Sequence, residues 1–418
     1  MLTDKKSYPW MVVGMLWVVA FLNYLDRQML STMRPFMVED IEALREAANF
    51  GRLMAIFLWI YALMSPISGM IADRLNRKWL IVISLFVWSG VTVAMGFTHD
   101  MDVLYMLRGV MGISEAFYVP AGLSLIADYH QGKTRSLAIG FHTSGIYLGQ
   151  AFGGFGATLA GAFSWNFTFQ LFGVIGMVYS LVLILFLREK KSYVIESVAQ
   201  QSIKMKLSAA FKGLSMLLGN ISFWVILFYF SAPSLPGWAT KNWLPTLFSE
   251  SLNMDMTQAG PFSTMTMALA SLVGVLVGGY LSDRWVTRHL KGRIYTGVIG
   301  LTLTLPALYF IGYGNGLFII VTGAIMFGFG FGMFDVNNMP ILCQFVPARY
   351  RATGYGILNL AGISAGAVIT NELGKAMDAG YMNEVFMGMI LTVSVTIALQ
   401  LLVLHPKTID MKEVTTVP

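Results

Sequence analysis

The sequence predicts an all-α polytopic membrane protein of twelve transmembrane helices, arranged as two pseudo-symmetric six-helix bundles. Three observations predict it. Apolar residues make up 56% of the 418-residue chain and charged residues only 12%, too few charges to cover a soluble surface of this size. Twelve mainly apolar stretches approach or exceed the length of about 20 residues that a spanning helix needs. Twenty-one of the 28 Lys and Arg fall in alternate inter-span segments, beginning with the N-terminal one, and four fall in the others.

The predicted spans lie near 9–33, 50–72, 79–98, 102–128, 134–162, 166–187, 217–249, 258–282, 293–313, 316–345, 352–379 and 382–404. The first is apolar from Trp10 and shows no small-residue cleavage site, so a cleavable signal peptide is not expected. Between the sixth and seventh runs the longest polar stretch, with Lys190, Lys191, Lys204 and Lys206. It divides the chain into an N-terminal bundle (1–187), a cytoplasmic linker (188–216) and a C-terminal bundle (217–418). The bias of Lys and Arg places both termini in the cytoplasm. It also accounts for the net charge of +6 without nucleic acid.

Ionisable groups at bilayer depth are costly and usually functional. Span one carries Asp26 and Arg27 about 16 residues in, roughly 24 Å at the helical rise. Asn23, Arg27 and Ser31 share one of its faces. Span four carries Arg108 roughly 9 Å in and Glu115 roughly 20 Å in, both on one face. Arg offers a fixed charge and a fork that fits a carboxylate. Coupling to protons needs a carboxyl that titrates. The bland alternative is a static ion pair that fixes helix packing.

Span five carries His142, Thr143, Ser144, Tyr147 and Gln150 among many glycines. Ser144, Tyr147 and Gln150 suit the hydroxyls of a sugar, whereas the glycines need only close helix packing. His142 reads first as a packing donor. Span seven contains Pro236-Gly-Trp-Ala-Thr-Lys241-Asn-Trp-Leu-Pro245, and two prolines and a glycine in ten residues predict a broken helix lining a cavity. Lys241 there is either an anion contact or a side chain snorkelling to the surface. In span ten, Gly328-Phe-Gly330-Phe-Gly332 reads as close packing, and Asp335, Asn337 and Asn338 as a gate or packing network. Span eleven offers Asn359 as a substrate contact.

The two halves echo each other. Gly69-Met-Ile-Ala-Asp73-Arg74 follows span two, and Gly279-Tyr-Leu-Ser-Asp283-Arg284 follows span eight. Arg135 and Gly140 open span five as Arg351 and Gly356 open span eleven. Such a duplication places a substrate site at the interface of the repeats, near the midplane. Gly69 to Lys78 (Gly-x-x-x-Asp-Arg-x-x-Arg-Lys) resembles the loop signature of the major facilitator superfamily, with Asn76 where that family usually has Gly. Asn23-Tyr-Leu-Asp26-Arg27, Arg108-x6-Glu115-Ala116, Thr143-Ser144-Gly145 and Trp243-Leu-Pro245-Thr resemble its anion:cation symporter branch. That branch includes sialin, the vesicular glutamate transporters and bacterial galactonate and hexuronate permeases.

The resemblance implies protonation at Asp26 and Glu115, with substrate or gating contacts at Arg27 and Arg108. It implies that Asp73, Arg74 and Arg77, with Asp283 and Arg284 in the second copy, act in gating. The expected function is import of a small organic anion, with a sugar acid as leading candidate, by proton-coupled symport in the inner membrane. Protons are expected ahead of sodium, and a monomer in the lipid bilayer is expected. A spinster-like lysolipid transporter and a non-transporting sensor of the same fold are the rivals. One cysteine, Cys343, leaves no disulfide or Cys-based metal cluster, and no HExxH pair or Walker A sequence occurs. No cofactor, metal, nucleic acid or enzymatic activity is expected.

Overall fold

A computed structural model describes residues 7–72, 75–130, 134–189, 215, 217–347 and 350–408. Every predicted span is helical. The helices are α1 (Tyr8–Leu30), α2 (Ala47–Ala72), α3 (Arg77–Met95), α4 (Met101–Ala116 and Tyr118–Tyr129), α5 (Arg135–Gly153 and Phe155–Ala162) and α6 (Trp165–Phe186). They continue as α7 (Ile221–Leu252), α8 (Met256–Val286), α9 (Gly292–Tyr313), α10 (Leu317–Asp335 and Asn338–Phe345), α11 (Arg351–Ala379) and α12 (Met382–Val403). Among the described residues, 11 spans are long and apolar enough to cross a membrane. The exception is α5, which breaks at Gly154 and is diluted by glycines and hydroxyls. Asp73, Arg74 and nearly all of the 188–216 linker lie outside the described residues.

Local chemistry sets the ends and breaks. Asn76 caps α3, its side chain accepting from the Trp79 amide at 3.1 Å. That role gives a physical reason for Asn where the family usually has Gly. Asp100 caps α4 in the same way. Asn253 (φ 47°) and Gly380 (φ 78°) lie in the left-handed region just beyond α7 and α11. Between α7 and α8, Asp255 accepts from the hydroxyl and amide of Thr257, which hold its carboxyl below the usual range. The break in α4 falls at Phe117 and that in α10 at Val336 and Asn337. Pro120 and Pro340 lack the amides that would reach the carbonyls of Ala116 and Val336. The repeat thus extends to its kinks.

One expectation fails. Span seven is not broken: α7 is continuous over its 32 residues. One carbonyl freed by a proline finds another donor. Pro245 has no amide for the Lys241 carbonyl, and Gln28 of α1 donates to that oxygen at 2.7 Å.

The chain forms two compact units. The first comprises Met1–Gln200, Lys241–Met265 and Thr370–Asp378. The second comprises Gln201–Thr240, Thr266–Ile369 and Ala379–Pro418. In the first, α5 lies close along α1: a Cβ on Gly145 would sit 2.8 Å from the Trp17 carbonyl oxygen. The glycines of span five are therefore a packing seam, as small residues at membrane helix contacts commonly are. In the second, Gly328, Gly330 and Gly332 face the backbone carbonyls of Met267, Gly300 and Ser271.

The first unit also ties the start of α2 to the end of α11. Asp378 accepts from the amides of Ala47 and Ala48, each at 2.8 Å. Arg34 holds the preceding loop through the carbonyls of Leu44 and Arg45. Burial pulls its guanidinium down from the ordinary arginine range, against the charges of Glu250 and Asp378. Trp243 donates to the Thr370 carbonyl at 3.0 Å, and Asn242 to the Thr370 hydroxyl at 2.8 Å. Replacing Asp378 by Ala should lower stability by about 1–2 kcal/mol, the usual effect of losing a helix cap. Thermal unfolding in detergent measures this; an unchanged midpoint would show that the cap contributes nothing.

Candidate functional site

The in-span charges of the N-terminal half meet in one buried cluster. Helix α1 supplies Asn23, Asp26 and Arg27, and α4 supplies Arg108 and Glu115. Their exposures are small: Asn23 0%, Asp26 5%, Arg108 3% and Glu115 0%. The break at Phe117 falls directly after Glu115 and Ala116, so the cluster sits beside the interruption of α4.

The pairing differs from what helix faces suggest. Arg27 Nε donates to Glu115 Oε2 at 2.6 Å, joining α1 to α4. Arg108 shares a helix face with Glu115, yet among the described residues no carboxylate oxygen lies within 4.0 Å of it. It donates instead to the Leu53 carbonyl at 3.3 Å and contacts the Met111 sulfur at 3.0 Å. A guanidinium so held carries its charge on dipoles and polarisable groups, not on a counter-ion.

Aromatic rings complete the setting. The Arg27 guanidinium lies over Tyr24, Phe57 and Tyr61, 4.8, 4.8 and 4.6 Å from their centroids. Arg108 lies 4.6 Å from the centroid of Phe57. One ring of α2 therefore serves both cations, by attraction of charge to the ring face. Gly112 makes this possible, because a Cβ there would stand 2.8 Å from the Phe57 carbonyl oxygen. Nothing in the sequence singles out Phe57 and Tyr61 among its 29 Phe and 17 Tyr. Their i,i+4 spacing was the available signal.

One turn beyond Glu115, the Tyr118 hydroxyl donates to the Leu16 carbonyl at 2.7 Å and lies 2.7 Å from His142 Nε2. His142 thus packs α5 against α1 and α4, in keeping with a packing histidine. Tyr147 is half-buried and Gln150 buried on α5 in the same unit. Lys241 is half-buried, with its carbonyl on Gln28. Asn359 is half-buried in the second unit.

Of the gating candidates that the structure describes, Arg77 forms an ion pair with Asp128, clamping the start of α3 to the end of α4. Lys78 donates its ammonium to the Ile184 carbonyl at 2.8 Å, and its amide to Glu189 at 2.8 Å. In the second copy Asp283 and Arg284 are exposed, and Arg284 reaches the Tyr280 hydroxyl at 3.0 Å. The polar knot of α10 is a packing network. Ser282 donates to Asn337, Asn337 to the Met333 carbonyl and Asn338 to Asp335. Among the described residues no group of three His, Cys, Asp or Glu could hold a metal ion.

Comparisons with known proteins bear on the family and the fold. The family model for the Major Facilitator Superfamily matches residues 16–370. A galacturonate transporter of Dickeya chrysanthemi is 25% identical over 75% of this chain and 92% of its own. A 4-hydroxybenzoate transporter of Acinetobacter baylyi is 25% identical over 89% of this chain and 85% of its own. A hexuronate transporter of Escherichia coli (strain K12) is 25% identical over 77% of this chain and 76% of its own. Among solved structures, a bacterial homologue of the human lysosomal transporter Spinster superposes with a TM-score of 0.76. It is 20% identical, with 96% of this chain and 97% of that one covered, a likeness of fold. The twelve-helix chain, with its duplicated half and its buried charge cluster, is a transporter of the major facilitator superfamily, not an enzyme.

Proposed function

We propose that this chain is a proton-coupled symporter that imports a sugar acid across the inner membrane by alternating access. The moving parts are the two six-helix bundles, 1–187 and 217–418, joined by the 188–216 linker. Both termini are cytoplasmic on this reading, which the distribution of Lys and Arg supports. The galacturonate and hexuronate transporters among its relatives support a sugar acid.

The observation that carries the proposal is the Arg27–Glu115 pair at 2.6 Å beside Arg108, which among the described residues touches no carboxylate oxygen directly. With Asp26 and Glu115 ionised, the two carboxylates balance the two guanidiniums. Each proton taken up adds one positive charge. A proton on Glu115 also releases Arg27 to accept a substrate carboxylate in its place. Protons and anion therefore favour each other's binding, the relation a symporter needs. Tyr147, Gln150 and Lys241 are proposed as substrate contacts in the first unit, and Asn359, in the second unit, by its amide chemistry alone. Arg77, with Asp73, Arg74, Asp283 and Arg284, is proposed to act in gating.

Uptake into proteoliposomes with an imposed pH gradient tests the reading. The substrates would be D-galacturonate, D-galactonate, sialic acid and an unsaturated uronate disaccharide, against 4-hydroxybenzoate and a lysolipid. Accumulation of at least one sugar acid that follows the gradient is expected; movement of only the aromatic acid or the lysolipid sinks the proposal. A Glu115→Gln variant should keep counterflow exchange and lose gradient-driven accumulation. Retained accumulation would remove Glu115 from coupling. Arg108→Lys keeps the charge but loses the planar fork, and apparent affinity should fall roughly tenfold, about 1.4 kcal/mol. Near-normal affinity would assign Arg108 to packing.

A further inference from the structure

Among the described residues, no close and well-directed hydrogen bond reaches five buried polar atoms of the cluster: Asn23 Nδ2 and Oδ1, Asp26 Oδ1, Arg27 Nη2 and Glu115 Oε1. Native proteins leave few such groups, and each costs about 1–3 kcal/mol if unsatisfied. Here they converge. Asn23 faces Glu115, and Asp26 lies within reach of the Glu115 charge. Asn23 and Asp26 are one turn apart on α1. Asn23 is the most telling member: it has no charge to offer a substrate, it is fully buried, and its amide stands beside the Glu115 carboxyl with no close, well-directed hydrogen bond to it.

The set contains donors and acceptors together. Asn23 Nδ2 and Arg27 Nη2 have hydrogens to give; the three oxygens have lone pairs. A bare cation would fill only the oxygens, and an anion only the nitrogens. Water, with two donors and two acceptors, fills both kinds, and polar partners of this number are what a buried water requires.

We propose that Asn23 is the positioning residue of a water site that passes a proton between Asp26 and Glu115. In the step, the O–H bond of protonated Asp26 breaks as its proton passes to the water oxygen. One O–H bond of that water breaks as its proton passes to the Glu115 carboxylate. The water is regenerated, and the negative charge moves from Glu115 to Asp26. Asn23 orients the water and never titrates. The groups packed around Asp26, Arg27 and Glu115 are Tyr24 from α1, Tyr61 from α2, Thr92 from α3 and Arg108 from α4. Among these, the Thr92 hydroxyl lies beside the Asp26 carboxyl as a hydrogen-bonding neighbour. The inference rests on the proton-coupling reading above.

The test uses the full chain in lipid nanodiscs, with acid-minus-alkaline infrared difference spectra and no substrate. Carboxyl bands removed by Asp26→Asn and by Glu115→Gln are expected. So is a water O–H band that moves in H2(18)O. Asn23→Leu, close in size and apolar, should abolish the water band and leave the carboxyl bands. If that variant does not fold, Asn23→Val serves in its place. Persistence of the water band in the apolar variant overturns the inference alone. Absence of any carboxyl band sensitive to Asp26→Asn or Glu115→Gln overturns the coupling reading with it. In proteoliposomes with D-galacturonate as probe, Asn23→Leu should lower gradient-driven accumulation by roughly tenfold or more. Counterflow exchange should stay near that of the unmodified chain. Equal loss of both activities would reduce Asn23 to a packing role.

Discussion

A guanidinium within a bilayer span must be satisfied by protein groups and by what they enclose, because lipid offers it no partner. The Arg27–Glu115 pair is the contact on which the N-terminal half is built. It needs α1 and α4 within reach of a 2.6 Å hydrogen bond, and it needs α2 close enough to lay Phe57 and Tyr61 against the cation. Close approach in turn needs residues without side chains at the contacts. Gly112 lets α4 meet the backbone of α2, and the Gly145 seam lets α5 meet α1. Packing and charge therefore form one problem here. A larger residue at Gly112 would displace the ring that both guanidiniums share.

Prolines pose the same problem for the backbone. A carbonyl four residues before a proline loses its helical donor and must find another. In α4 and α10 the helix kinks near that point. In α7 it continues without a break, and a side chain from α1 replaces the missing amide at Lys241. Asp378 does the like for the unpaired amides at the start of α2. These ends are capped by residues hundreds of positions away, so the first unit gathers segments from both halves of the sequence.

That distribution decides how much was legible in the sequence. The twelve spans were, because hydropathy over about 20 residues is imposed by the bilayer itself. So were the members of the charged cluster, since Asp26, Arg27, Arg108 and Glu115 stand out where charges are scarce. The pairing was not. Face-sharing within α4 linked Arg108 to Glu115, whereas the structure links Glu115 to Arg27. Helical spacing reports which side a residue occupies, not which neighbour meets it. The continuity of α7 was hidden for the same reason: Pro236, Gly237 and Pro245 are visible, but Gln28 as donor is not. Asp378 reads as one more surface carboxylate until Ala47 is placed beside it.

The count of charges bears on mechanism more than the fold does, since one fold serves many substrates. Two fixed cations and two carboxyls give a cluster that is neutral when both carboxyls are ionised and positive when they are not. On the proposed reading, the substrate carboxylate and Glu115 compete for Arg27, and a proton decides between them. Because linkage is reciprocal, an anion held at Arg27 must strengthen proton binding as much as the proton strengthens anion binding. Arg108 supplies the constant part of the attraction, since its partners are a carbonyl and a thioether, which carry no charge to exchange. One arginine is thus suited to switching and the other to holding. The difference between them lies in what each one touches, not in the residue type they share.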